Sequence, residues 1–240
     1  MPATTITDLM TLLTRDPGRP RITWYGDDGE RVELSGAVLE NWVNKTTNLL
    51  VEELDAAPGT VVAVDLPGHW RTLVWALAAW RAGACVHLGV VGTADVVVTD
   101  RPAAATSAPG VVAVALPALA RRFPDPLPPR AIDAAAAVMT YGDALGWVPA
   151  VQPGSAALAD GERTLTHAEL LAHAPEGADR VLTAAGARGD ARALLAAVAV
   201  LAAGGSLVLA SEQAADALRA DPGRRESLAA SERVTDDRLV

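Results

Sequence analysis

The chain has 240 residues, half of them apolar, and a net charge of −9 at pH 7. This content allows one substantial core or two smaller ones and excludes a disordered or collagen-like chain. Lys and Arg form no basic stripe, so we expect no nucleic-acid partner, because phosphate binding needs concentrated cations.

The sequence also predicts where the protein resides. The longest apolar stretches, 73–84 and 194–203, are shorter than the ~20 residues of a membrane-crossing helix. Residues 1–14 lack the positive start and apolar core of a signal peptide, and one cysteine, Cys85, permits no internal disulfide. We therefore expect a cytoplasmic protein without a membrane partner, in which Cys85 is a small core residue. The bias towards Ala and Arg suggests a GC-rich bacterial genome.

The first part of the chain alternates helices with apolar strands. The predicted elements are a helix at 7–13, hairpin strands at 22–25 and 31–34, a helix from Ser35 to about Leu54, a strand at 61–66, a helix at 71–82, and strands at 85–90 and 96–99. Ser35 is a good N-cap, with Leu34 and Leu39 as a hydrophobic staple. Fully apolar strands between helices indicate a parallel sheet covered on both faces.

Seven prolines between 101 and 130 interrupt this pattern and leave one strand at 111–116. This stretch is the natural connection between two lobes, which we place at 1–135, including the connection, and at 136–240. The later predicted elements are a helix at 131–140, a strand at 180–183, a helix at 191–203, a strand at 206–210 and a polar helical tail interrupted at 221–223.

The sequence contains an internal repeat, in which Gly29–Leu39 is similar to Gly161–Leu170. Each copy is followed by an apolar helical run, a small-residue break and an apolar strand. Both copies predict a turn, a short strand and a helix start, and in the second copy Thr166 and Glu169 form the capping-box pattern of that helix start. The repeat predicts an α/β fold of two related lobes, with mainly parallel sheets flanked by helices.

The framework resembles that of a known superfamily. The order of Arg31–Leu50, Gly59–Pro67 and Ala82–Ala84 is similar to the start of the adenylate-forming enzymes, which include acyl-CoA synthetases, firefly luciferase and nonribosomal peptide synthetase adenylation domains. Leu165–Leu171 and Gly204–Leu209 resemble the stretch that follows the phosphate loop. The resemblance covers most of the chain. Within the superfamily, the chain looks most like the short acyl-CoA synthetase-like proteins of GC-rich bacteria. The resemblance implies the fold of the superfamily's N-terminal part.

The phosphate loop of that superfamily is a Ser/Thr/Gly-rich run closing in Pro-Lys-Gly, whose amides and hydroxyls hold the nucleotide phosphates. The equivalent stretch here, Gly154–Thr166, has few hydroxyls and brings Asp160 and Glu162 to the place of the triphosphate. Two carboxylates there would repel the nucleotide unless a metal intervened. The resemblance implies a remnant of nucleotide-contacting residues: Arg163, Thr164, Thr166 and His167.

Lysine content gives a second test. The superfamily uses one lysine near the phosphate loop and another in a mobile C-terminal domain, whereas this chain has a single lysine, Lys45. We interpret Lys45 as a solvated charge on the exposed side of an early helix. From the resemblance we expect no counterpart of the superfamily's adenine-binding segment, ribose-binding aspartate or C-terminal domain in residues 1–240.

Other chemistry finds little support. His69, His87, His167 and His173 show no metal-ligand spacing, and the glycines assemble into no nucleotide fingerprint. We predict no metal, no catalytic residue and no cofactor, apart from residual ATP or AMP binding. Trp75 and Trp80, on an apolar helix, are expected to pack in the core.

Three hypotheses remain open. The first is a truncated, inactive relative of the adenylate-forming enzymes that binds a small acyl or nucleotide ligand or a protein partner. The second is an active, AMP-forming adenylating subunit completed by another polypeptide, with Arg163, Thr164 and Thr166 as phosphate contacts. The third is a structural or regulatory homo-oligomer.

Overall fold

The computed structural model describes residues 3–89, 92–105, 107–161, 163–172 and 177–239. Glu162 and His173, both considered above, lie outside these ranges. The α-helices of the described residues are α1 (Ile6–Leu13), α2 (Gly36–Leu54), α3 (Trp70–Arg81), α4 (Ala134–Ala137), α5 (Ala191–Ala202), α6 (Glu212–Ala220) and α7 (Pro222–Ser231). The strands are β1 (Pro20–Tyr25), β2 (Arg31–Ser35), β3 (Val61–Asp65), β4 (Cys85–Leu88), β5 (Val96–Thr99), β6 (Gly110–Ala113), β7 (Ile132–Asp133), β8 (Ala156–Ala159), β9 (Thr164–Thr166), β10 (Arg180–Ala184), β11 (Ser206–Ala210) and β12 (Asp236–Asp237).

The chain forms two compact units. The first contains Met1–Leu39, Gly68–Trp70 and Leu171–Val240, and the second contains Glu40–Pro67 and Arg71–Leu170. The units differ in make-up from the predicted lobes, 1–135 and 136–240, because strands from both ends of the chain pair in one sheet. The predicted boundary between the lobes, at residues 135 and 136, stays a prediction.

The first unit is built on a five-stranded sheet in the order β12-β10-β11-β1-β2. All its pairs are parallel except β1 with β2. Its core includes Leu182, Val208 and Leu218, all nearly inaccessible to solvent. Asp190, Ser211 and Asp221 cap α5, α6 and α7 by accepting hydrogen bonds from backbone amides of the first turn.

The second unit is built on a seven-stranded sheet in the order β7-β6-β5-β3-β4-β8-β9, parallel except for β8 with β9. Trp80 of α3 is fully buried, and its indole N–H donates to the carbonyl of Ala157 in β8 at 2.7 Å. Trp75 and Cys85 are buried as predicted, and burial raises the pKa of the Cys85 thiol.

The α/β fold with mainly parallel sheets confirms the sequence prediction, and most predicted elements lie within a few residues of their observed bounds. Three strands were not predicted, β7, β8 and β12. The helix expected at 131–140 is a single α-helical turn, α4, continued by a 3₁₀ turn at Val138–Thr140. None of the helices in the described ranges combines the length and hydropathy that crossing a bilayer requires.

Candidate functional site

The stretch that the resemblance equates with a phosphate loop is a tight β-hairpin of the second unit. Strands β8 and β9 pair antiparallel, with Ala159 opposite Thr164 and Leu158 opposite Leu165. Only the four residues 160–163 connect the two strands. β8 in turn pairs parallel with β4, so the hairpin is anchored to the sheet along one strand.

An ion pair closes this four-residue turn. The Arg163 guanidinium donates from Nε to Asp160 Oδ2 at 2.9 Å, and the Arg163 amide donates to Asp160 Oδ1 at 3.1 Å. The Asp160 amide donates back to the Arg163 carbonyl at 3.2 Å. Gly161 between them has a φ of +87°, which favours glycine. The amide and the guanidinium of Arg163 are therefore both bonded to the Asp160 carboxylate, while the Arg163 side chain is 50% exposed.

The two threonines of the predicted remnant have different surroundings. Thr164 and Thr166 lie two apart on β9 and therefore project from the same face of the strand. Thr166 donates from both its amide and its hydroxyl to Glu169 Oε2, each at 2.8 Å, whereas Thr164 is exposed. The Thr166 hydroxyl is therefore already bonded within the protein.

His167 lies at the end of the hairpin and is 7% exposed. Its Nε2–H donates to the Gly83 carbonyl at 3.1 Å, just after α3, and its backbone amide donates to the Ser155 carbonyl at 3.1 Å. Burial lowers the pKa of the imidazole, because a charged ring is costly to desolvate. The structure thus places His167 as a neutral link between the hairpin and the end of α3.

The interpretation of Lys45 as a solvated charge was wrong. Its Nζ forms an ion pair with Asp143 at 2.9 Å, and the lysine side chain is only 15% exposed. Nζ also donates to the Tyr141 carbonyl. Asn44 and Asn48, on the same side of α2, donate to the carbonyls of Asp143 and Ala144, so segment 141–146 covers the lysine.

Sequence reasoning missed this contact because segment 141–146 lies about a hundred residues away along the chain. A signal was present in the spacing of the polar residues, since Asn48 follows Asn44 by four residues and Lys45 by three. Residues three and four apart share a side of a helix.

Metal binding has no structural candidate in the part of the chain that is described. Its His, Cys, Asp and Glu residues form no group of three or more that could hold an ion.

No family model matches the chain. A protein of Mycobacterium tuberculosis (strain ATCC 25618 / H37Rv), a TIGR03089 family protein, is 37% identical over 237 residues, which cover 93% of this chain and 93% of that protein. At this identity and coverage, the two proteins share a family.

Three solved structures share the fold. They are an acyl-CoA synthetase of Brucella canis (TM-score 0.67, 18% identity, 90% of this chain and 45% of that one), the acetoacetyl-CoA synthetase of Streptomyces lividans (0.66, 16%, 89% and 40%) and the amide bond synthetase McbA of Marinactinospora thermotolerans (0.63, 18%, 92% and 47%). The chain thus spans less than half the length of the solved structures that it matches. These matches confirm an adenylate-forming fold.

Proposed function

The chain belongs to the TIGR03089 family and has the fold of adenylate-forming enzymes, and we propose that it acts by binding a small ligand or a protein partner and does not form acyl-adenylates. The chain would thus have a non-catalytic role on the fold of the acyl-CoA synthetases.

The closed turn at 160–163 is the observation that carries the proposal. A phosphate loop must present free amides, hydroxyls and a cation to the nucleotide. Here the Arg163 amide and guanidinium are both bonded to the Asp160 carboxylate. An entering triphosphate would have to displace that carboxylate and tolerate its charge close by, which opposes binding.

The surroundings of Lys45 support the same proposal. It is the single lysine of the sequence, and it is paired with Asp143 and covered by segment 141–146. A lysine held in this way serves the packing of α2 and is not presented to a phosphate group.

An active adenylating subunit, completed by another polypeptide, is the second candidate. The observation that favours it is the exposure of the Arg163 side chain and of Thr164. On this alternative a partner would reorganise the turn and release the guanidinium from Asp160.

Calorimetric titration with Mg-ATP tests the two candidates. The purified chain, the Arg163→Ala variant and a control, Arg192→Ala, are compared, because Arg192 is an exposed arginine on α5. We expect no saturable heat with any of the three at millimolar ATP. Saturable binding that Arg163→Ala abolishes and Arg192→Ala preserves would favour the active subunit, and acid-dependent ATP–pyrophosphate exchange by the same chain would then overturn the proposal.

A further inference from the structure

The first unit contains a crevice of the kind at which α/β proteins bind ligands. Strands β1 and β11 are parallel neighbours that end together, with Tyr25 opposite Ala210. After β1 the chain turns back into β2, whereas after β11 it enters α6. Ligands of open α/β sheets bind outside the carboxyl ends of the parallel strands, which is the edge that β1 and β11 form here.

A cavity of about 150 Å³ opens at this edge of the sheet. Its walls come from the turn after β1, from α6 and from α7, and they include Tyr25, Asp27, Gln213, Leu218, Arg224 and Leu228. An apolar cavity of about this volume accommodates a benzene-sized molecule.

The wall supplied by α7 is fixed in place by an ionic network. Glu232, just after α7, accepts hydrogen bonds from the Tyr25 hydroxyl at 2.5 Å and from the guanidinium groups of Arg31 and Arg180 at 2.9 and 2.6 Å. Burial opposes ionisation of Glu232, but these three donors outweigh it and lower the pKa of the carboxyl. The cavity is therefore preformed, which reduces the cost of binding.

Two polar side chains of the cavity wall, Arg224 and Asp27, retain the capacity to bind a ligand. Arg225 pairs with Asp237 at 2.7 Å, whereas its neighbour Arg224 forms no ion pair with any residue in the described ranges. Asp27 accepts a hydrogen bond from the Ser211 hydroxyl through Oδ1 at 2.6 Å. Because a carboxylate has two acceptor oxygens, Oδ2 remains able to accept from a ligand.

We propose that this cavity binds a small organic acid that has an apolar body of about benzene size and a hydroxyl or ammonium donor. Leu218 and Leu228 contact the apolar body, Arg224 pairs with the carboxylate, and Asp27 accepts the donor. A ligand without the donor would meet the charge of Asp27 unpaired, which costs affinity.

Acid binding at this cavity rests on the proposed ligand-binding role but not on the absence of adenylation. The cavity lies wholly within the first unit and contains no residue of the hairpin at 156–167. An adenylating chain could therefore still bind the acid here, and a chain with no affinity for ATP could fail to do so.

The test is a titration of the ¹⁵N-labelled chain, followed by NMR chemical shifts, with three probes of the same ring size. Mandelate carries a carboxylate and a hydroxyl, benzoate lacks the hydroxyl, and benzyl alcohol lacks the carboxylate. We expect shifts concentrated at residues 25–29 and 213–228, and tighter binding of mandelate than of either other probe.

Two variants and a control complete the test. Arg224→Gln should weaken mandelate and benzoate about tenfold, as expected for loss of a charge-assisted hydrogen bond, while benzyl alcohol is unaffected. Ala217→Leu adds volume to the cavity wall and should weaken all three probes, and Arg192→Gln should change nothing. Mandelate binding that is unchanged in both Arg224→Gln and Ala217→Leu, or shifts outside the cavity, would overturn the proposal.

Discussion

At the scale of single residues, His167 shows how a side chain in a suggestive position can serve packing. The sequence places it directly after the hairpin that replaces the phosphate loop. Its Nε2–H is bonded to the Gly83 carbonyl inside the protein, and no part of this contact can be seen from sequence, because Gly83 lies far away along the chain. Ligand contact through Nε2 of His167 would require breaking that hydrogen bond.

Protonation of His167 should therefore destabilise the fold. Burial holds the pKa of the folded imidazole below its usual value, so the unfolded chain binds the proton first. The stabilising contribution of neutral His167 is complete above about pH 6.5, the pKa of histidine in an unfolded chain. It is lost as the pH falls from there through the lower pKa of the folded state. Urea unfolding at about pH 7.5 and about pH 5.5 measures this loss of free energy.

The variant His167→Gln is the matched comparison, since its amide can still donate to Gly83 without titrating. The fall in unfolding free energy on acidification should be smaller in the variant than in the natural chain. An equal fall in both would mean that His167 does not titrate with folding.

At the scale of elements, the first hairpin and the apolar strands could be predicted because their signals are local. Both copies of the repeat form a turn between antiparallel strands, with glycines at φ +79° (Gly29) and +87° (Gly161). β8 was missed because its alanines carry little strand preference, and β12 because it consists of two aspartates.

The helix expected after Thr166 does not form over residues 167–172, although its capping contact is present. Glu169 does bond to the Thr166 amide, as a capping box requires. The Leu170 amide also donates to the Thr166 carbonyl at 3.2 Å, as in a first helical turn. The amides of His167 and Ala168, which a helix would leave without an internal partner, donate to the carbonyls of Ser155 and Pro153. Residues 167–172 nevertheless form only turns, so the four-residue pattern predicted the capping contact but not the length of the element.

The contact between α2 and segment 141–146 can be tested through its single lysine. Because Lys45 is 15% exposed and paired with Asp143, an amine-reactive acetylating reagent should modify it slowly. Asp143→Asn should accelerate the reaction several-fold by removing the ion pair, whereas Asp125→Asn, at an exposed carboxylate without contact to Lys45, should not. Mass spectrometry of the lysine-containing peptide gives the rates, and equal rates for both variants would contradict the arrangement.

At the scale of the whole chain, the repeat correctly predicted α/β architecture but could not show which strands pair. β1 pairs with β11, nearly two hundred residues later, and parallel pairing of this kind leaves no local pattern in the sequence. The candidate site, likewise, could be predicted only in part from the sequence. Its position followed from the family resemblance, and the closed Asp160–Arg163 turn emerged only from the structure.

ATP–pyrophosphate exchange by the purified chain, with a panel of short, long and aromatic carboxylic acids, tests the central claim most directly. The account predicts no exchange above the blank with any acid, because the turn at 160–163 holds its own cation and carboxylate together. Acid-dependent exchange that Arg163→Ala abolishes would contradict it and would assign the chain to the adenylating enzymes.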